Sequence, residues 1–317
     1  MELSGDCGSG GPPRLRVYLT GFGPFNNVSD NPSATLVQQL AAALGSEQTT
    51  SSPRQQGRSK AVPLCFCPFN DPRDSPVPGA VDSLVETAPT QASAVVELCG
   101  WEVLEVSAEA ATEAVPRIHS VLCRNAQTRE PHEADAAKKF VATRETPDEP
   151  TEGPTDSAAG MVEEPLTLAL HFGVSTHSDR WQLEACAKND ARFPCPDNRG
   201  CRPQAEVISD YMPLEACLRS SLCLEPVGAD LSHNGFPCNV SDDAGCFVCN
   251  FLYFKSLYEG QRSGVASLFV HIPPFSAISL QQQLAAALRL LALLARKGFR
   301  QSIGGRSQEE TLEKQKL

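Results

Sequence analysis

The amino-acid sequence predicts an α/β fold, a single-domain α/β/α sandwich on a mainly parallel, twisted sheet. Short apolar segments of strand length alternate with amphipathic helical segments, the pattern of a sheet covered by helices on both faces. Two of the apolar segments, residues 165–172 and 265–272, are nearly continuous, as in strands buried on both faces. A hydrophobic content of 41% over 317 residues is enough for a substantial core.

The first elements have clear local signals. Residues 15–20 predict a strand, and residues 31–44 predict a helix in which Asn31 caps the start and Pro32 occupies the first turn. One apolar face runs along this helix: Leu36, Val37, Leu40 and Leu44.

The middle of the chain predicts two strands and a helix. Residues 94–98 and 101–106 are apolar runs of strand length, and the turn signal around Gly100 predicts that they are separate strands. Residues 111–122 then predict a helix.

In the second half, residues 165–172 predict a buried strand, after which a loop delivers Glu184. Residues 265–272 predict another buried strand, and the Leu-rich segment 279–297 is the clearest helix in the chain.

Several segments lack the apolar periodicity of a folded element. We expect disordered ends at residues 1–13 and 300–317, and loop inserts near 46–59 and 125–161, the second of them acidic. The folded domain is therefore predicted to span residues 14–299.

Composition excludes several classes of protein. No apolar run reaches the roughly 18 residues of a membrane span, and residues 1–13 lack the features of a secretory signal. A net charge of −11 opposes binding to nucleic acid. The 13 cysteines in a long chain without a signal favour free thiols over a disulfide scaffold. We therefore expect a cytosolic protein that binds neither membrane nor nucleic acid.

A glycine-rich loop follows the first predicted strand, at residues 19–25, Leu-Thr-Gly-Phe-Gly-Pro-Phe. Open α/β sheets bind ligands in loops at the carboxyl ends of strands. Phe22 and Phe25 could line such a pocket, and ordinary core packing of these two rings is equally compatible with the motif. The loop lacks the pattern of a nucleotide-binding loop.

A second candidate site is Cys249, in the segment Asp-Ala-Gly-Cys-Phe-Val-Cys-Asn at residues 243–250. A small turn leads into a predicted helix whose amino-terminal amides could stabilise a thiolate and a developing oxyanion. Cys246 and Cys249 also form a CxxC pair. Zinc would need a second ligand pair, and Cys195 with Cys201 is spaced too widely for a common zinc knuckle; a redox role is the remaining alternative.

His271 and Glu184 are the other candidate catalytic residues. Pro273 and Pro274 end the strand that carries His271, so the imidazole stands at a strand end and faces either the core or a cleft. Taken alone, a satisfied core histidine is the simpler interpretation, and an isolated Glu184 would be unremarkable.

Together these segments resemble the pyroglutamyl-peptidase I family of cysteine peptidases. The resemblance covers most of residues 14–297 and depends on motifs in the family's order. They are TGFGPF at 20–25, NPS at 31–33, HFGVS at 171–175, LE at 183–184, NDAR at 189–192, PDN at 196–198, DAGxxVCN at 243–250 and FVHIP at 269–273.

The resemblance implies a phosphorylase/hydrolase-like fold and a triad in which Cys249 is the nucleophile, His271 the general base and Glu184 the acid that orients the imidazole. It implies a substrate-binding set: Phe22, Phe25, Phe247, Val248 and Arg192. The expected substrates are peptides with an N-terminal pyroglutamate, the expected cofactor and metal requirement is none, and oligomers occur in the family.

Two departures from the family pattern bear on function. The loop at residues 184–198 has an altered spacing, and the acidic insert has no counterpart in compact members. The alternative to an active enzyme is a catalytically silent homologue that binds blocked peptide N-termini or a partner protein.

Overall fold

The structure, a computed structural model, describes residues 12–26, 28–45, 61–64, 94–127 and 165–296. The predicted tail at 300–317, the predicted insert at 46–59, nearly all of the predicted disordered segment at 1–13 and most of the acidic insert lie outside the described residues. No helix among the described residues is long and apolar enough to cross a bilayer.

The described residues form eleven strands and five helices. The strands are β1 Arg14–Phe22, β2 Ala61–Leu64, β3 Ala94–Leu104, β4 Leu166–Val174, β5 Trp181–Glu184, β6 Cys186–Lys188, β7 Ala191–Arg192, β8 Gln204–Glu206, β9 Cys217–Arg219, β10 Cys238–Ser241 and β11 Ala266–Ile272. The helices are α1 Pro32–Ala43, α2 Ala108–Gln127, α3 Leu224–His233, α4 Val248–Ser263 and α5 Leu280–Ala295.

Seven strands form the main sheet in the order β10-β5-β11-β4-β1-β3-β2. The pairs β1–β3, β1–β4, β4–β11 and β5–β10 are parallel, whereas β2–β3 and β5–β11 are antiparallel. The predicted mainly parallel sheet is confirmed.

Helices cover both faces of this sheet. One hydrophobic cluster joins the sheet to α1, α3 and α5, and a second joins it to α2 and α4. The strands between them are almost entirely buried. In β1 and β4, for example, successive residues are buried on both faces of the sheet. This two-sided burial explains why the central strands are continuous apolar runs in the sequence.

The predicted helix starts are observed at α1 and α5. The Asn31 side chain accepts a hydrogen bond from the Ser33 backbone N–H, with Pro32 in the first turn of α1. At α5, Ser279 and Gln282 form a reciprocal capping box.

The prediction of two strands on either side of Gly100 is wrong. Residues 94–104 form the single strand β3, which pairs with β1 along its length and contains a bulge, because Val17 pairs with Leu98 and Tyr18 with Gly100. A Cβ atom at Gly100 would lie 2.5 Å from the Tyr18 ring. The glycine therefore permits close packing within the sheet, and not a chain reversal.

Helix α2 is longer than the predicted 111–122. Its first turn is capped by Ser107, whose Oγ accepts from the Ala110 N–H at 3.1 Å, and its end extends into the first residues of the predicted acidic insert. The prediction that a loop delivers Glu184 is also wrong, since Glu184 ends the short strand β5.

Candidate active site

Three elements bring the predicted catalytic residues together. Glu184 is the last residue of β5, His271 is the penultimate residue of β11, and Cys249 is the second residue of α4. Because β5 and β11 are antiparallel with Phe269 opposite Glu184, His271 is the diagonal neighbour of the glutamate on the same face of the sheet.

The acid and the imidazole are directly bonded. His271 Nδ1 lies 2.7 Å from Glu184 Oε1, so the ring N–H donates to the carboxylate. The Glu184 side chain is fully buried and that of His271 is 12% exposed. The carboxylate therefore acts on the ring out of water, and the ring reaches toward the surface.

The Cys249 side chain neighbours His271 and raises the pKa of its imidazole. A Cβ atom at Gly173, which pairs with His271 in the sheet, would lie 3.1 Å from Cys249 Sγ and 2.7 Å from the Phe269 ring. Only glycine leaves room for the thiol at this point. The HFGVS motif thus contributes a space beside the Cys249 thiol.

The electrostatics of His271 favour its charged form. Burial alone would lower its pKa, but the hydrogen bonds to Cys249 and Glu184, and the charges of both partners, raise it to about 10. An imidazolium held beside a thiol stabilises the thiolate, which is the nucleophilic form of cysteine.

Helix α4 begins next to Cys249, the predicted nucleophile. Its N-cap, Phe247, has no side-chain cap, and the first intrahelical bond joins the Phe251 N–H to the Phe247 carbonyl. The N–H groups of residues 248–250 precede that bond, so they have no partner within the helix. The turn before them contains Gly245 at φ +80°. These amides and the helix dipole favour negative charge at Cys249.

Two of the predicted aromatic residues meet beside the helix start. The Phe25 and Phe247 rings lie 5.1 Å apart, both half-buried. Phe193, which the sequence analysis did not single out, packs edge-on against Phe247 at 4.8 Å. Phe22 is buried in the core, with its ring centroid 6.5 Å from that of Phe269.

The loop that carries Phe25 is held by hydrogen bonds to the backbone of residues 22–24. Asn31 Nδ2 donates to the Gly23 carbonyl at 3.0 Å, and Asn198 Nδ2 donates to the Pro24 carbonyl at 3.0 Å. The Phe22 N–H donates to Ser33 Oγ. The NPS and PDN motifs therefore position the TGFGPF loop.

The remaining predicted substrate-binding residues are placed differently. The Val248 side chain is fully buried in the core. Of this residue, only the backbone N–H at the start of α4 is available to a substrate. Arg192 is about half exposed and pairs with Asp190 at 3.3 Å and with Glu215 at 3.9 Å. These two carboxylates are its ion-pair partners within the described residues.

The two cysteines of the CxxC pair have different surroundings. Burial and the Asp190 carboxylate raise the pKa of Cys246, whereas Cys249 faces an imidazole. Among the residues that the structure describes, no group of three or more His, Cys, Asp or Glu side chains could hold a metal ion.

Sequence reasoning missed the bracing of Glu184. Tyr253 Oη, fully buried on α4, donates to the Glu184 carbonyl at 2.7 Å. Asn250 Oδ1 accepts from the Lys188 N–H, and its Nδ2 donates to the carbonyls of Lys188 and Asp190. Asn250 follows Cys249 directly in the VCN motif, which was the available signal, whereas Tyr253, four residues after Cys249, has no pattern that distinguishes it from a core aromatic residue.

A buried carboxylate, an imidazole and a thiol at the start of a helix are the groups with which cysteine hydrolases activate a nucleophile. Comparisons with known proteins agree. The family model described as pyroglutamyl peptidase matches residues 138–290. Pyroglutamyl-peptidase 1 of Mus musculus is 33% identical over 132 residues, which are 39% of this chain and 57% of the mouse protein.

A bacterial relative, the pyrrolidone-carboxylate peptidase of Vibrio parahaemolyticus, is 37% identical over 90 residues, 28% of this chain and 42% of that protein. Pyrrolidone carboxyl peptidase from Fervidobacterium islandicum has the same fold, with a TM-score of 0.54 at 20% identity, covering 90% of this chain and 99% of that one. The enzyme of Thermococcus litoralis matches with a TM-score of 0.52 at 19% identity, covering 95% of this chain and 96% of that one.

The chain is similar to the pyroglutamyl peptidase family over residues 138–290. Its matched region spans 57% of the length of the mouse relative.

Proposed function

We propose that the protein is a cysteine-type exopeptidase that removes N-terminal pyroglutamate, 5-oxoproline, from peptides. The observation that carries this proposal is the 2.7 Å bond between Glu184 and His271 beside the Cys249 side chain. The three groups have the relationship that thiol activation requires, since the acid orients the ring and the ring faces the nucleophile.

The reaction has two stages. The Cys249 thiolate attacks the carbonyl carbon of the pyroglutamyl residue, and the oxyanion forms near the free N–H groups that begin α4. The imidazolium of His271 then protonates the leaving amine, and a thioester remains on the sulfur. Water, deprotonated by His271, hydrolyses the thioester and releases 5-oxoproline.

The Phe25–Phe247 pair supports the choice of substrate. A pyroglutamyl group is flat, uncharged at its blocked nitrogen and mostly apolar, so an aromatic slot with a few backbone hydrogen bonds suits it. The rings are 5.1 Å apart and tilted by 43°. An aminopeptidase for free N-termini would need an anionic group to bind the ammonium.

The test is release of a fluorophore from a pyroglutamyl amide by the purified protein under reducing conditions. Wild-type protein should hydrolyse the amide, and Cys249→Ala should lose at least about 10³-fold in kcat/KM. Cys246→Ser is the matched control and should keep most of the activity, because the charged groups that act on its thiol are Asp190, Arg192, Asp243 and Lys188, and not His271. The reverse pattern, with activity lost in Cys246→Ser and kept in Cys249→Ala, would show that Cys249 is not the nucleophile.

A silent wild-type protein that still binds pyroglutamyl peptides would make the chain a binding homologue. Inactivation by a chelator, with alkylation harmless, would instead indicate a metal-dependent reaction.

We place this activity in the cytosol. The ten cysteines within the described residues are free thiols, which fits a reducing compartment. The proposed partners are peptide substrates, and the proposal requires no cofactor.

A further inference from the structure

A buried polar network lies beneath α4, on the side of the helix that faces the sheet. Its centre is Ser256, whose Oγ lies 2.9 Å from His171 Nε2, 3.1 Å from His119 Nε2 and 2.9 Å from Ser267 Oγ. The four side chains are at most 2% exposed. The proposed reaction uses none of them.

The outer bonds of the network complete it. His171 Nδ1 lies 2.8 Å from Thr20 Oγ1, and His119 Nδ1 lies 2.8 Å from Ser263 Oγ. Ser267 Oγ donates to the carbonyl of Ser256 at 3.1 Å. Every side-chain nitrogen and oxygen of this buried group therefore has a partner, as buried polar atoms require.

These bonds determine where each proton lies. Since Ser267 donates its only hydroxyl proton to the Ser256 carbonyl, Ser256 must donate to Ser267 Oγ. The Ser256 oxygen then accepts from the Nε2–H of both histidines, and each Nδ1 accepts from a hydroxyl, that of Thr20 or Ser263. Burial lowers the pKa of His119 to about 4, and burial together with His119 lowers that of His171 to about 3. Both rings are accordingly neutral, as this arrangement needs.

The network joins the elements that carry the active site. Ser256 follows Cys249 by seven residues, two turns along the same face of α4. His171 precedes Gly173 by two residues on β4, so both side-chain positions face α4.

The third connection is to the strand of the general base. Ser267 lies on β11, four residues before His271 and on the same face. One hydroxyl on the helix is thus bonded to both strands that flank the thiol.

We propose that Ser256 is a positioning residue whose network fixes the register of α4 against β4 and β11, and so holds the Cys249 thiol opposite His271. Apolar packing is non-directional and tolerates small shifts of a helix along a sheet. Hydrogen bonds with defined donors and acceptors do not, because a shift leaves buried polar atoms without partners. The proposal deepens the proposed function and rests on it for the role of the thiol.

The test measures the thiol itself, so it does not depend on peptidase activity. The rate of alkylation of Cys249 by iodoacetamide is followed from about pH 6 to 9 by site-resolved mass spectrometry. Ser256→Ala removes the central oxygen. Leu231→Ala, in α3 on the opposite face of the sheet, is the control, since Leu231 is fully buried in the other hydrophobic cluster and its truncation lowers stability without touching α4.

We expect Ser256→Ala to slow alkylation of Cys249 at neutral pH by about tenfold, because small displacements of a reacting group have large effects on rate. The midpoint of the pH profile should rise as the imidazolium contact loosens. Urea unfolding measures how far each substitution lowers stability. Leu231→Ala should keep the wild-type rate of Cys249 alkylation and the wild-type midpoint of its pH profile. In an active wild-type enzyme, Ser256→Ala should lower kcat with little change in KM.

An unchanged alkylation profile in Ser256→Ala, or an equal change in both variants, would overturn the proposal. If Ser256→Ala does not fold, Ser267→Ala decides, because it keeps the acceptor for both histidines and removes the bond to β11. That variant should show a smaller shift in the same direction, and a wild-type profile would contradict the positioning role. A reactive Cys249 in a protein without peptidase activity would reject the proposed function and leave this inference standing.

Discussion

His271 donates its Nδ1–H to Glu184 across the antiparallel β5–β11 pair, from a diagonal position that places the carboxylate deeper in the protein than the ring. Glu184 is fully buried, so its charge acts on the ring at low effective dielectric. Its second oxygen, Oε2, has no hydrogen-bond partner within the described residues. The carboxylate is thus directed at one partner, and its replacement is informative.

Glu184→Gln should reduce kcat/KM on a pyroglutamyl amide by about 10²-fold or more. The neutral amide no longer raises the pKa of His271, so the imidazolium beside Cys249 is lost at a lower pH than in wild type. The checking measurement is the pH dependence of Cys249 alkylation. Glu259→Gln, a partly exposed carboxylate on α4, is the control. Equal pH profiles of alkylation for both variants would show that Glu184 does not act on His271 as proposed.

Gly173→Ala should lower the reactivity of Cys249 more than it lowers the stability of the fold. The new methyl group would meet the Phe269 ring at 2.7 Å and Cys249 Sγ at 3.1 Å, so one or both must move. We expect kcat to fall by roughly tenfold or more, with a stability loss of about 1–3 kcal/mol.

The control for that prediction is Gly228→Ala in α3, where the nearest atoms are 3.6–3.9 Å away. Replacing a helical glycine there should stabilise by up to about 1 kcal/mol. Kinetics and urea unfolding of the two variants check both parts; full activity in Gly173→Ala would show that the space is dispensable.

Asn250→Asp should destabilise the fold by roughly 2–4 kcal/mol. The amide of Asn250 donates to the carbonyls of Lys188 and Asp190, and a carboxylate would face both oxygens without a proton to share. Urea unfolding measures the loss. Asn239→Asp makes the same chemical change at an exposed position of β10 and should be nearly neutral; similar losses in the two variants would argue against the buried amide as a specific tie.

Stability should fall as the pH is lowered below about 6.5. The folded-state pKa values of His119 and His171 are lowered to about 4 and about 3, so the unfolded chain binds protons in this window and the folded chain does not. Each of these two histidines, kept neutral in the folded state, then lowers the free energy of unfolding by about 1.4 kcal/mol for each unit by which the pH falls. His271 has the opposite shift: its contribution is complete below pH 6.5 and is lost as the pH rises toward about 10.

Urea unfolding between about pH 5 and 6.5 tests this, where carboxylates contribute less than at lower pH. The variant His119→Gln keeps a side-chain N–H donor but cannot titrate. Its loss of unfolding free energy between these two pH values should be close to half of the wild-type loss. Identical slopes for wild type and variant would mean that His119 is not held neutral in the fold.

Local patterns were sufficient to predict the class of fold and most of its elements. The apolar runs ending at Phe172 and Ile272 predicted β4 and β11, and the cap at Asn31 predicted the start of α1. Where prediction failed, the cause was a contact distant in sequence. Gly100 was interpreted as a turn because the sequence does not show that Tyr18 packs against it, and the short strand at Glu184 is stabilised by pairing with β10 and β11.

The candidate site divides in the same way. The motifs were sufficient to nominate Cys249, His271 and Glu184, and the resemblance supplied their proposed roles. The bracing by Tyr253 and the Ser256 network could not be inferred, because single Ser, Tyr and His residues in buried segments have no pattern that distinguishes them from ordinary core positions.

The sequence by itself determined the alternation of strands and helices, the start of α4 next to Cys249 and the motifs that nominate Cys249, His271 and Glu184, since these depend on local propensity and side-chain chemistry. Only the tertiary structure decided that β5 runs antiparallel to β11, that Gly173 leaves space for the Cys249 thiol, that Phe25 meets Phe247 while Phe22 is buried in the core, and that Arg192 pairs with Asp190. Those relationships depend on how elements far apart in the chain register against one another, and pairing and packing set that register only when the whole core forms.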